Sequence, residues 1–134
     1  MKALHINFSD NSGGGGGAIA MYRLCQGLAL LKVNCRIVSK VKTLDSDQSA
    51  LMPRFKLLEG ALKRVTKPLG LNDVHTLGTF RLSKHPFFQW ADIINTHVVH
   101  SDYFNYLALP ALTAQKPAVF TLHDMWAFTG HCAY

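Results

Sequence analysis

The feature that most constrains this chain is an alternating strand that runs into five consecutive glycines, Gly13 to Gly17, and then into an apolar helix. Ala3 to Phe8 carries Leu4, Ile6 and Phe8 on one side, with His5 and Asn7 interleaved, which is strand periodicity. Glycines interrupt regular structure. From Ala18 to Leu31 the residues are again mostly apolar, and Ile19, Tyr22, Leu24, Leu28 and Leu31 are the expected buried positions of a helix. Asn34 to Val41 is β-branched enough to form a second strand and completes a βαβ unit. Such crossovers are parallel and right-handed. The expected fold class is therefore α/β: a Rossmann-like parallel sheet with helices on both faces.

The rest of the chain fits one domain, residues 1–134. Ala91 to Thr96 and Lys116 to Leu122 read as further strands, separated by a helix over Tyr103 to Thr113 in which Pro110 should cause a kink or an early end. Between them and the first unit, residues 43–88 read as a variable insertion. It holds an amphipathic basic helix over Arg54 to Val65, with Phe55, Leu58, Leu62 and Val65 at helical spacing, and a short strand near Val74 to Leu77 or Phe80.

Composition narrows the function classes. Charged residues make up 16% and apolar residues 49%, so the chain is expected to fold and not to be disordered. The longest apolar run spans about 14 residues, short of the roughly 20 that a membrane span needs. Met1-Lys2 leads straight into the first strand, without a signal-peptide pattern, so a cytoplasmic protein is expected. Cys25, Cys35 and Cys132 are odd in number and lack Cys-x-x-Cys spacing, which favours reduced thiols. The net charge of +6, with Arg54, Lys56, Lys63, Arg64, Lys67, Arg81 and Lys84 in one stretch, favours anionic partners. Nucleic acid, an anionic membrane surface and phosphorylated substrates all fit that sign.

Chemistry-bearing residues collect after the strands. In an open parallel sheet, ligands bind at the carboxyl ends of strands where the strand order reverses. If the first strand lies beside the Asp92 strand, the glycine loop, the His97 to His100 loop and the His123 to Thr129 loop share one crevice. Glycines before a helix let backbone N–H groups approach a phosphate. No Lys-Ser or Lys-Thr follows them, so this is not a Walker loop. Gly13-x-Gly15-x-x-Ala18 fits a loose dinucleotide fingerprint, yet the second strand ends at Val41-Lys42 without the acid that would hold a ribose. His97, His100, His123, His131 and Cys132 have ligand chemistry, but no paired cysteines or His-Glu-x-x-His pattern supports a metal, and none is expected among them. His123, at a strand end beside Asp124, can bind sugar hydroxyls or exchange protons near neutral pH. Trp126 can anchor the loop or stack on a sugar ring.

Taken together, Met1 to Asp10, the glycine loop running into Ala18-x-Ala-x-Tyr-Arg-Leu24, Ala91-Asp-Ile-Ile-Asn-x-His97-x-Val-His-Ser101 and Thr121-Leu-His-Asp-Met-Trp-Ala-Phe-Thr-Gly130 resemble the N-terminal half of family 4 retaining glycosyltransferases, above all those building bacterial exopolysaccharides such as colanic acid. The resemblance implies two facing Rossmann-like halves, of which this chain matches the acceptor-side one, without the C-terminal donor-binding domain. It implies that Gly15, Gly16 and Gly17 approach the donor diphosphate and that His123 is the catalytic-site residue at the transferred sugar. His97, Asp124 and Trp126 are the further candidate contacts to sugar or acceptor. The implied co-substrate is a sugar nucleotide, with no other cofactor and no metal, and the implied acceptor is a glycan or a lipid-linked sugar. Peripheral contact with the inner face of the membrane fits such an acceptor, and nucleic acid is then not expected. Ile19 stands where relatives often carry Arg, and His131 is displaced from the pattern they show. The alternatives are a nicotinamide dinucleotide-binding domain and a basic nucleic-acid or membrane-binding module.

Overall fold

A computed structural model describes residues 1–11 and 15–130. Its centre is a parallel sheet of five strands: β1 (Lys2–Ser9), β2 (Asn34–Val41), β3 (Ser49–Leu51), β4 (Ile93–Thr96) and β5 (Ala118–Phe120), in the order β3-β2-β1-β4-β5. The chain is thus an α/β protein of Rossmann-like form. Strand order reverses between β1 and β4, as expected for a binding edge at their carboxyl ends.

Each face of the sheet is covered by helices. Helix α1 (Gly16–Leu30) lies over β1 and β2, where Met21 and Cys25 pack on Ile37. The other face is the main core. Leu4, Ile6, Val38 and Ile94 meet Phe88 of helix α3 (Pro86–Trp90), Leu82 of the 3-10 helix Leu77–Lys84, Tyr103, Phe104, and Leu112 of helix α4 (Leu109–Thr113). Because both faces are covered, β1 buries its polar residues as well: His5 and Asn7 are as inaccessible as Leu4 and Ile6.

Several elements differ from the sequence reading. The buried face of α1 is Ala18, Met21 and Cys25, whereas Ile19, Leu24 and Leu31 are exposed. Pro110 sits in the first turn of α4, where its missing N–H costs nothing, and the expected single helix is divided just before it into a 3-10 helix, Tyr106–Ala108, and α4. The segment expected as a strand near Val74 to Phe80 contains the 3-10 helix instead. A three-residue strand, β3, lies inside the supposed insertion, which also supplies Met52, Leu82 and Phe88 to the core.

Helix α2 (Lys56–Thr66) is rotated off its expected apolar stripe, of which Leu62 alone is half-buried. Its buried residue is Glu59, which accepts hydrogen bonds from Arg54 Nε at 2.5 Å and from the Gly78 N–H at 2.8 Å. A side chain at Gly78 would collide with the Pro53 carbonyl, so only glycine admits this approach. Phe55, Leu57, Leu58 and Val65 consequently face solvent. Lys63 reaches Asp102, whose other carboxylate oxygen lies 3.3 Å from His75 Nε2, and this ties α2 to the loop after β4.

Asp10 anchors the other side of the binding edge. Fully buried, it accepts from Ser49 Oγ (2.6 Å), the Thr43 N–H (2.8 Å), Thr43 Oγ1 (2.9 Å) and the Leu44 N–H (3.1 Å). At the far edge, β5 is accessible along its whole length, with Val119 47% and Phe120 39% exposed on opposite faces. Among the described residues, no helix is long and apolar enough to cross a membrane.

Candidate functional site

A crevice of about 380 Å³ opens at the carboxyl ends of β1, β4 and β5, lined by Phe8, Gly17, Val98, His100, Ser101, His123 and Asp124. The three loops expected from sequence to converge do so here. Gly17 packs on the His123 ring so closely that a Cβ at position 17 would lie 3.3 Å from His123 Cγ. Gly15 has φ +75°, a left-handed conformation suited to glycine, and leads into α1, whose first turn holds no acidic side chain. Gly13, Gly14, His131 and Cys132 lie outside the described residues.

His123 is exposed to the crevice, but its Nε2 is committed. It lies 2.8 Å from His97 Nδ1, and the two rings stack with centroids 5.1 Å apart. His97 Nε2 in turn lies 3.0 Å from His5 Nδ1. Three imidazoles therefore run in single file from the crevice into the face of the sheet under α1. Burial pushes His5 down to about 4. Burial, reinforced by repulsion from His5 and His123, pushes His97 down to about 3. Both are neutral at physiological pH, so each ring has one N–H to donate and one nitrogen to accept, and the whole file has a direction.

Asp124 and His100 form a second pair, missed from sequence. His100 Nε2 lies 2.8 Å from Asp124 Oδ2, while Asp124 Oδ1 accepts the Trp126 N–H at 3.0 Å. Burial alone would raise the Asp124 carboxyl, but these two donors outweigh it and hold it below the usual range. Its negative charge is thus directed at His100 and the loop backbone.

Two of the expected ligand contacts take other places. His97 is 2% exposed and sits behind His123, because β4 delivers it into the sheet and not onto the crevice wall. It can act on a ligand only through His123. Trp126, at the start of helix α5 (Trp126–Thr129), turns toward the core and packs on the His100 and Tyr106 rings instead of lining the crevice. Phe8 supplies the apolar wall, and Lys40 lies 4.9 Å over its ring.

No family model matches the chain, nor does any curated protein or solved structure.

His5 is the site-connected residue that sequence reasoning passed over. Its only signal was a histidine on a strand that a parallel sheet covers on both faces. The crevice has the parts of an anion and hydroxyl site: a helix start with no side-chain cap among the described residues, an imidazole with a fixed partner, and an aromatic wall.

Proposed function

We propose that residues 1–134 form the acceptor-side half of a retaining glycosyltransferase that moves a sugar from a sugar nucleotide to a glycan or lipid-linked acceptor. The packing of Gly17 on His123, at the switch point of the sheet, is the observation that carries this reading. Leaving of a nucleoside diphosphate concentrates charge on phosphate oxygens and leaves an oxocarbenium-like sugar. Backbone N–H groups of Gly16 and Gly17 at the positive end of α1 suit the former. The His123 imidazole, a few ångströms away, suits the hydroxyls of the latter. With Nε2 held by His97, Nδ1 is the nitrogen left for the sugar, and the file of rings fixes its orientation. The base and ribose fall to a second, donor-binding domain.

Helix α2 supports a membrane-proximal acceptor. Leu57 is 93% exposed, and Leu58 and Val65 are exposed beside Lys56, Arg64 and Lys67. An apolar strip with basic flanks suits the anionic inner face of a membrane, where a lipid-linked acceptor would lie. A nicotinamide dinucleotide is less well served, since Lys42 and not an acid follows β2.

Titration of the chain with a sugar nucleotide, followed by amide and imidazole NMR, tests the proposal. Weak shifts confined to Gly16, Gly17, His123 and their neighbours are expected. Tight, base-specific binding to residues 1–134 would overturn the division of labour, and steeply salt-dependent nucleic-acid binding without any sugar-nucleotide response would overturn the function.

A further inference from the structure

On the face of the sheet under α1, at the inner end of the histidine file, His5 meets two cysteines. β1 and β2 pair with Ala3 opposite Cys35 and His5 opposite Ile37, so His5 and Cys35 point to the same face one step apart. α1 lies on that face and brings Cys25 down onto it. One ligand atom from each of His5, Cys25 and Cys35 lies within 4.8 Å of the other two. His5 Nε2 is buried with no hydrogen-bond partner among the described residues, although its ring is 1% exposed. An unpartnered ring nitrogen there is costly unless something binds it.

We propose that His5, Cys25 and Cys35 form a binding site for a zinc ion. Two thiolates and one imidazole are the soft and borderline donors that zinc selects, and side chains whose ligand atoms already lie within 4.8 Å of one another need close only by rotamer adjustment to reach Zn–S bonds of about 2.3 Å and Zn–N bonds of about 2.0 Å. Binding of Zn²⁺ displaces one proton from each thiol to solvent and none from the neutral imidazole, so the loaded site carries no net charge. That removes the main objection to an ion at this depth. Three protein ligands leave a fourth position. Cys25 and Cys35 also line a groove of about 640 Å³ between α1 and the β2–β3 edge, with Tyr22, Arg36 and Ser49, through which an ion or water reaches that position.

Zinc on His5 Nε2 also sets the direction of the file. The His5 proton must then sit on Nδ1 and be donated to His97 Nε2, and the His97 proton must be donated from Nδ1 to His123 Nε2. His123 is left with its own proton on Nδ1. The metal site itself does not rest on the glycosyltransferase reading.

The test uses the reduced chain in a Cys132→Ser background with cobalt(II) as the spectroscopic probe and zinc as competitor. One equivalent of cobalt should produce thiolate-to-cobalt charge-transfer absorption, displaced by one equivalent of zinc. Cys35→Ser, at a half-buried position, should weaken binding on the order of 100-fold or more. Zinc should raise the Tm of the parent and not of this variant, while thermal unfolding without metal confirms that the variant folds. Failure of the reduced parent to develop the band overturns the proposal. So does a band of unchanged strength in both Cys25→Ser and Cys35→Ser.

Discussion

A methyl group at Gly17 would stand 3.3 Å from Cγ of the His123 ring, tight enough that the ring would have to move by a few tenths of an ångström. Gly17→Ala should therefore leave the fold intact, with stability changed by no more than about 1 kcal/mol, the usual span of the Gly-to-Ala helix preference. The His123 imidazole resonances should shift. Gly16→Ala, with nothing within 4 Å of its added carbon, is the control that should leave them in place.

In an assembled two-domain enzyme, His123→Ala should reduce turnover by about 10²-fold, the scale of a positioned proton-transfer or charge-stabilising group. Because His123 is exposed, unfolding midpoints should hardly change. Unaltered kinetics in the folded variant would remove His123 from the chemistry.

Asp10 should control acid stability. Burial alone would raise its carboxyl, but the hydrogen bonds from Ser49, Thr43 and Leu44 more than offset this and hold it below the ordinary value. A carboxyl lowered by folding stabilises the native state above its unfolded pKa of about 3.9, and that contribution is lost as pH falls through the folded value. Asp10→Ala should cost about 3 kcal/mol at neutral pH, since several donors to a charged acceptor are orphaned. Asp10→Asn should flatten the stability profile below about pH 4. Urea titrations between pH 2 and 7 measure both.

Helix α2 offers a contrast between look-alike positions. Glu59→Ala removes one partner of a buried ion pair and should destabilise by about 3 kcal/mol or more. Leu57→Ala, two residues away and almost fully exposed, should be nearly neutral. Equal costs would mean that Leu57, too, is packed against the domain.

The exposed patch of Leu57, Leu58 and Val65 should bind anionic vesicles and ignore neutral ones. Replacing Lys56, Arg64 and Lys67 with Gln should remove about 1 kcal/mol each, together more than a hundredfold in partitioning. Lys63 is left unchanged because it is engaged by Asp102. Equal recovery in the supernatant with both vesicle types would exclude the surface role.

What the sequence made legible follows from period and position. β2 spans the expected residues 34–41, and β1 and β4 lie side by side, because strand periodicity and the reversal of order are local or topological facts. The meeting of Gly17 with His123 was foreseeable for the same reason: loops after neighbouring parallel strands share an edge. The phase of α1 was not. Apolar residues surround that helix, so the hydrophobic pattern does not single out Ala18, Met21 and Cys25 as the side that meets the sheet. β3 has three residues and no periodicity to read. The inward turn of α2 depends on Glu59 finding Arg54 and the Gly78 N–H, partners invisible to a hydrophobic pattern. His5 and His97 are 92 positions apart, and only the pairing of β1 with β4 brings their nitrogens within 3.0 Å.

The open flank of β5 has a practical side. A short strand with Val119 and Phe120 accessible, and one row of backbone amides and carbonyls without a neighbouring strand among the described residues, is a template for whatever extended segment arrives first. In concentrated preparations of the 134-residue polypeptide, the same strand of another molecule is the extended segment most often met. A charged substitution at Val119 should therefore raise solubility by blunting that edge.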